Sequence, residues 1–321
     1  MKKFALLVGN GFTLDFIQPK GLHSSFPLKN FNNINISYNP DFMENIPDIK
    51  SKLLGSDLND FDAIKNYVEL FKEDEEEYFK RTSDFDYIDT EDPKYKRASN
   101  LHVQLRRFIA MAYSVLQNKI DEHDMSDWKW IKWLDEHKAK LAFAISLNYD
   151  VVLENSLLLA KANFYRVGTD EFYRPIPLIK PHGSIDFDLP SDMIDADNPW
   201  SVEATLNDGQ YVRTLPKSEW LNPRIEADII VPSLHNIQRH LSWVRKMFDQ
   251  YSEVAQQLDS LVIVGCSYWD VDRAEIDFFL ERLNRRTKVY IVDPFPNKDL
   301  VKKIQGLGLS YKKLNKNGFP W

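Results

Sequence analysis

Two short segments concentrate side chains that can do chemistry: Ser146-Leu147-Asn148-Tyr149-Asp150 and Lys180-Pro181-His182-Gly183-Ser184. In each, an apolar run breaks into polar residues, as a strand does where it ends. Ligands of a parallel sheet bind beyond the carboxyl ends of its strands, so an Asn and a His at such ends are well sited for catalysis. The Asn148 carboxamide both donates and accepts, which suits a ribose hydroxyl, a nicotinamide amide or an attacking water. The His182 imidazole titrates near neutrality, as a general base must, and Gly183 beside it leaves room for a substrate. Each has a plainer alternative. A lone His is more often hydrogen-bonded and structural, and Asp150 is a favoured cap for the helix that follows.

Three further strand ends carry candidate binding residues. Gly9-Asn10-Gly11-Phe12-Thr13-Leu14-Asp15 follows the first apolar run, where backbone N–H groups and a helix start can meet a phosphate. Leu14 stands where a third glycine would complete the dinucleotide fingerprint, and a turn that needs glycine for its angles explains the segment equally well. Gly265-Cys266-Ser267-Tyr268 offers a glycine and a hydroxyl at another helix start; the acids after it, Asp270, Asp272 and Glu275, can cap the helix or complement its dipole, and Asp270 and Asp272 read that way. Asp293, in Val292-Asp293-Pro294, suits a ribose hydroxyl or simply initiates a turn. Cys266 reads as a small core residue. Trp128, Trp130 and Trp133 have helical spacing and read as core or subunit interface.

The elements that must position these groups follow from hydrophobic pattern. Phe4 to Val8, Leu141 to Leu147, Ile229 to Val231, Leu261 to Val264 and Val289 to Val292 are short and almost wholly apolar, as strands covered on both faces are. Three-to-four spacing predicts helices over Leu101 to Ile120, Asp150 to Ala160, Ile237 to Leu258, Asp270 to Leu283 and Asn297 to Ile304. The expected class is α/β: a Rossmann-like, mostly parallel sheet with helices on both faces, in one domain over residues 1–321. Two regions interrupt the alternation. Residues 21–100, with the acidic run Glu73 to Glu77, read as a helix-rich insertion, and residues 187–227 as a proline-containing, loop-rich excursion.

Composition bounds the function. With 43% apolar and 28% charged residues the chain is of ordinary globular type, and its net charge of -7 gives no general attraction to nucleic acid. Arg282, Arg285 and Arg286 read as the solvated face of an amphipathic helix. No apolar stretch approaches the ~20 residues that cross a bilayer, and no signal-peptide pattern follows Met1-Lys2-Lys3, so the expected location is cytoplasmic. A single cysteine excludes an intrachain disulfide and a multi-cysteine zinc module, and the seven His have no H-E-x-x-H spacing.

In their order along the chain, the glycine loop at Gly9, Leu147-Asn148-Tyr149-Asp150, Pro181-His182-Gly183-Ser184, Gly265-Cys266-Ser267 and Val292-Asp293-Pro294 resemble the sirtuin superfamily. The likeness is greatest to the sirtuin-like NAD-consuming domains of bacterial anti-phage defence systems. That resemblance implies Asn148 and His182 as catalytic residues, with Gly9, Gly11, Thr13, Asp15, Asp150, Gly265, Ser267 and Asp293 holding NAD. Deacylating sirtuins carry four zinc-binding cysteines after the His-Gly motif, whereas residues 187–227 contain none. The expectation is therefore hydrolysis of NAD, as substrate, to nicotinamide and ADP-ribose without a metal. Such an activity needs gating, by a homo-oligomer or by a separately encoded sensor or ATPase subunit. The alternatives are an NAD-dependent deacylase without zinc and a non-catalytic sensor of NAD or ADP-ribose; no direct nucleic-acid or membrane contact is expected.

Overall fold

Phe4-Ala5-Leu6-Leu7-Val8 has no polar side chain to present to water, and as strand β1 (Phe4–Val8) all five residues are buried at the centre of the sheet. The computed structural model describes residues 2–27, 106, 109–169, 172–188, 212–221, 227–230, 242–314 and 319–320. Around β1 run β2 (Leu141–Ser146), β3 (Phe164–Arg166), β4 (Ile176–Ile179), β7 (Ser260–Val264), β8 (Lys288–Val292) and β9 (Ser310–Leu314), in the order β3-β4-β2-β1-β7-β8-β9. Every neighbouring pair in this seven-stranded sheet is parallel. The fold is α/β, as expected, with a sheet parallel throughout. A separate antiparallel pair, β5 (Phe187–Asp188) and β6 (Arg213–Thr214), lies in the predicted excursion.

Side chains alternate faces along a strand, and the core divides accordingly. Phe4, Leu6 and Val8 join one cluster with α1 (Asn10–Ile17), α2 (residues 109–121), α3 (Lys129–His137) and α4 (Val152–Leu159). Ala5 and Leu7 join the other, with α5 (Ser242–Ala255), α6 (Asp270–Glu281) and α7 (Lys298–Gly306). Helices thus cover both faces, which is why the central strands carry no alternating polar positions. Trp130 and Trp133 are buried in the first cluster, and Trp128 packs against the rings of Phe12 and Phe16, so the tryptophans are core.

Two expectations need correction. Ile229 belongs to no strand of the parallel sheet; it makes an isolated antiparallel bridge to Gly183, because the backbone of 227–230 is spent covering the His-Gly turn. Val231 lies outside the described residues, as do residues 28–105 with the Glu73 to Glu77 run, and most of 187–227. The pattern also missed β9, whose Lys312 and Lys313 are exposed: it is a sheet edge, and charged edges resist pairing with other chains. Among the described residues no helix is long and apolar enough to cross a membrane.

Candidate active site

From β1 the sheet grows one way through β2, β4 and β3 and the other way through β7, β8 and β9, so strand order reverses beside β1. Ligands of open α/β sheets bind in the crevice at such a reversal, at the carboxyl ends. The loops leaving β1, β2, β4 and β7 carry the predicted residues there.

The two glycine loops are stitched to each other. Gly9 N–H donates to Val264 O (3.0 Å) and Gly11 N–H to Gly265 O (2.9 Å). A Cβ on Gly11 would lie 2.5 Å from Gly265 Cα, and one on Gly265 2.4 Å from Gly11 Cα. Gly9 has an ordinary extended φ of -119°, so it is glycine for close approach, its Cβ position being 2.8 Å from Gly265 O. Only Gly265, at φ +59°, also needs the left-handed region. Gly265→Ala is expected to lose at least about 2 kcal/mol of stability, combining ~1–2 for a left-handed alanine with ~1–3 for forcing packed backbone apart. Urea denaturation checks this; a change below about 0.5 kcal/mol, the range of surface substitutions, would contradict it.

Asn148 is buried between these loops. Its Nδ2 donates to Gly9 O and to Thr13 Oγ1, both at 3.1 Å, while Oδ1 is buried with no hydrogen-bond partner among the described residues. Thr13 Oγ1 donates to Asp150 Oδ2 (2.8 Å), and Asp150 Oδ1 accepts from Val152 N–H (3.1 Å), the first turn of α4. Val151, not Asp150, is the N-cap of α4; Asp150, one residue earlier, holds the Val152 N–H and anchors the Asn148–Thr13 pair together. Burial pushes its carboxyl from 3.8 up to about 6, against the opposing pull of Lys180, Thr13 and the Val152 N–H. A carboxyl raised in the folded state holds its proton longer than in the unfolded chain, so its contribution is fully present below about pH 4 and lost as pH rises through 6. Relative to Asp150→Asn, the wild type should lose up to about 3 kcal/mol between those limits, read from urea midpoints at each pH. Parallel pH curves for the two proteins would refute it.

His182 is also buried, and its orientation is set by hydrogen bonding. A carbonyl only accepts, so the 3.1 Å contact with Leu147 O places a proton on Nδ1. Nε2 then faces Glu275 Oε1 at 3.5 Å. Burial lowers the imidazole pKa, but the Glu275 carboxylate and the further charge of Asp272 outweigh it, leaving His182 above the ordinary histidine value. The turn is clamped: Ile230 N–H donates to His182 O (2.9 Å), and Tyr149 Oη donates to Ile230 O (2.6 Å). Gly183, at φ +79°, would place a Cβ 2.0 Å from Asp228 O, so no other residue fits under this cover.

The remaining predicted residues are placed as follows. Ser267 Oγ donates to Asp272 Oδ2 (3.2 Å) at the start of α6, and its carbonyl accepts from Asn297 Nδ2 (2.9 Å). Burial and the neighbouring Glu275 raise the Asp272 carboxyl, with His182 and Ser267 opposing. Asp293 accepts Phe295 N–H (2.7 Å) in a turn after β8; burial raises its carboxyl. Asp15 is engaged by α3, accepting Trp128 Nε1–H (3.1 Å) and Lys129 Nζ–H (3.0 Å), and is not joined to the Asn148–Thr13–Asp150 group. Cys266 is buried, its thiol pushed up by burial and the charges of Asp272 and Asp293, as suits a core residue.

Several participants have no site role in the sequence reading. Glu275 follows the Gly265 loop with Asp270 and Asp272 and is expected only to cap the helix or complement its dipole, one turn beyond Asp272 on the same helical face. Lys180, fully buried, pairs with Glu154 Oε1 (2.8 Å) and donates to Asp150 O (2.5 Å). Asp228 pairs with Arg106 (3.0 Å), with burial still raising its carboxyl to about 6. Tyr113, on α2, packs its ring on Tyr149 at 5.2 Å and carries a buried hydroxyl with no hydrogen-bond partner among the described residues. Among the described residues no group of three or more His, Cys, Asp or Glu is placed to hold a metal ion.

No family model and no curated protein matches the chain at a significant level. Among solved structures it is similar to one described as the structural basis for the mechanism and regulation of Sir2 enzymes, at 12% identity and a TM-score of 0.34, covering 95% of this chain and 93% of that one.

Proposed function

We propose that this protein is a sirtuin-like NAD glycohydrolase, cleaving NAD to nicotinamide and ADP-ribose. The observation that carries the reading is the pairing of Asn148 and His182, both almost wholly buried, at the carboxyl ends of neighbouring strands β2 and β4 beside the strand-order reversal. The order of the motifs along the chain supports it. Nicotinamide leaves a cationic glycoside as a neutral base, so the bond breaks through an oxocarbenium-like state without protonation of the leaving group. The protein then has to orient the dinucleotide, exclude bulk water and place one nucleophile. Asn148 Oδ1, buried and without a partner among the described residues, accepts from the ribose or from water. Because Nδ1 is committed to Leu147 O, Nε2 of His182 is the nitrogen that takes the proton.

Uncontrolled NAD hydrolysis injures the cell that performs it. The reading therefore extends to a cytoplasmic, NAD-depleting effector of bacterial anti-phage defence, gated by homo-oligomerisation or by a separately encoded sensor or ATPase. Nicotinamide release from NAD by the purified protein, at low and high protein concentration with products separated by chromatography, tests the activity. Nicotinamide and ADP-ribose are the expected products. Release that needs an acyl peptide points instead to deacylation, and tight NAD binding without product points to a sensor. Full activity from a lone monomer by light scattering would argue against the gating.

A further inference from the structure

We propose that Glu275 is the positioning residue for His182, its carboxylate on α6 serving as the counter-ion that fixes both the direction and the charge of the imidazole. Glu275 is 1% exposed, and a buried carboxylate is costly unless paired. Among the described residues no lysine or arginine forms an ion pair with Glu275 or Asp272, whereas Glu154 pairs with Lys180, Asp228 pairs with Arg106, and the Asp150 carboxylate is hydrogen-bonded by Thr13 and Val152. The imidazole 3.5 Å away is the cation left for it. With Nδ1–H held by Leu147 O, the ring presents Nε2 to Glu275 Oε1 at ion-pair distance, and Nε2 has no hydrogen-bond partner among the described residues.

Other charges around the ring do not substitute for this contact. From α6, Asp272 adds a second negative charge but spends Oδ2 on the Ser267 hydroxyl. From the loop after β2, Tyr149 lies with its ring 6.3 Å from the imidazole and its hydroxyl bound to Ile230 O, and Asp150 is tied to Thr13 and Val152. From the covering segment, Asp228 is neutralised by Arg106, and from β4's end Lys180 by Glu154. The rise in the His182 pKa noted above agrees with this arrangement.

The proposal rests on the site read above as an NAD hydrolase, yet its first test does not depend on that activity. The full chain is labelled at histidine Cε1 and titrated by NMR, the His182 resonance being identified by its loss in His182→Gln. In wild type the imidazole should titrate above the ordinary value of ~6.5. Glu275→Gln should weaken its proton affinity by at least roughly tenfold, one pH unit. Asp272→Asn, at a half-buried position, should weaken it less than Glu275→Gln does; the wild-type titration alone serves if Glu275→Gln does not fold. A base works only when deprotonated, so the acid limb of nicotinamide release should move to lower pH in Glu275→Gln. Identical His182 titration in wild type and folded Glu275→Gln, or a wild-type titration at or below the ordinary value, overturns the proposal, even if NAD is hydrolysed. A lowered titration in protein that hydrolyses no NAD sustains the His182–Glu275 pairing and counts against the hydrolase reading alone.

Discussion

Nicotinamide release should fall by at least ~10²-fold in His182→Ala, the lower end of what a positioned acid or base contributes. The imidazole is held from both sides, by Leu147 O and by Glu275, and the backbone of its turn is hydrogen-bonded to Ile230 independently of the ring. Truncating the side chain therefore removes the base without removing the clamp. Asn148→Ala should give a comparable loss of turnover, with a larger loss of stability. Its Nδ2 joins Gly9 O to Thr13 Oγ1, and deleting it removes two buried hydrogen bonds, each contributing about 0.5–1.5 kcal/mol. The two variants are thus separable by measuring turnover and thermal unfolding on the same samples. Wild-type turnover in either folded variant would sink the assignment.

The second large effect concerns stability. Lys180 has no exposed surface, and Glu154, its partner at 2.8 Å, is nearly as deeply placed. Lys180→Met leaves that carboxylate buried without its cation, and Glu154→Gln leaves the ammonium without its anion; each single change should cost about 3–5 kcal/mol. Against a total stability of ~5–15 kcal/mol for a typical folded domain, either loss is large. The double variant Lys180→Met/Glu154→Leu removes both charges and should recover most of it, since a well-packed apolar pair commonly equals a buried ion pair. Urea denaturation of the three variants gives the comparison. A single variant within about 1 kcal/mol of wild type, the range of exposed pairs, would show that water reaches the site. The pair also bears on the active-site group, because Lys180 Nζ donates to the carbonyl of Asp150.

How far the sequence discloses this architecture depends on which forces act locally. β1, β7 and β8 are readable because two covered faces demand runs such as Phe4 to Val8 and Leu261 to Val264. β9 is not, because an edge strand tolerates Ser310-Tyr311-Lys312-Lys313-Leu314, whose pattern is mostly that of a solvated segment. Ile229 misled for the converse reason: an apolar residue is buried equally well by a covering segment as by a strand. Strand ends disclose Asn148 and His182, since polar residues cut short an apolar run. The partners of those residues come from positions far along the chain, as Glu275 and Gly265 do, and local pattern carries no information about such pairings. Glycine misled in a subtler way. Gly9 and Gly11 invite an explanation from backbone angles, yet they are required by a neighbour more than 250 positions away, roughly the separation that closes the sheet.

The register of β1 also sets an order of events in synthesis. Phe4 pairs with Leu141 on one side and with Ser260 on the other. At a translation rate of about 5–20 residues per second, the apolar first strand waits roughly ten to fifty seconds before its last neighbour emerges. During that interval its edge is open to non-native pairing, which makes the nascent chain a client for holding chaperones. The two glycine loops close late, because Gly9 and Gly11 have nothing to close against until Gly265 has been made. A chain interrupted between His182 and Gly265 carries both Asn148 and His182 but lacks the loop against which Gly9 and Gly11 close.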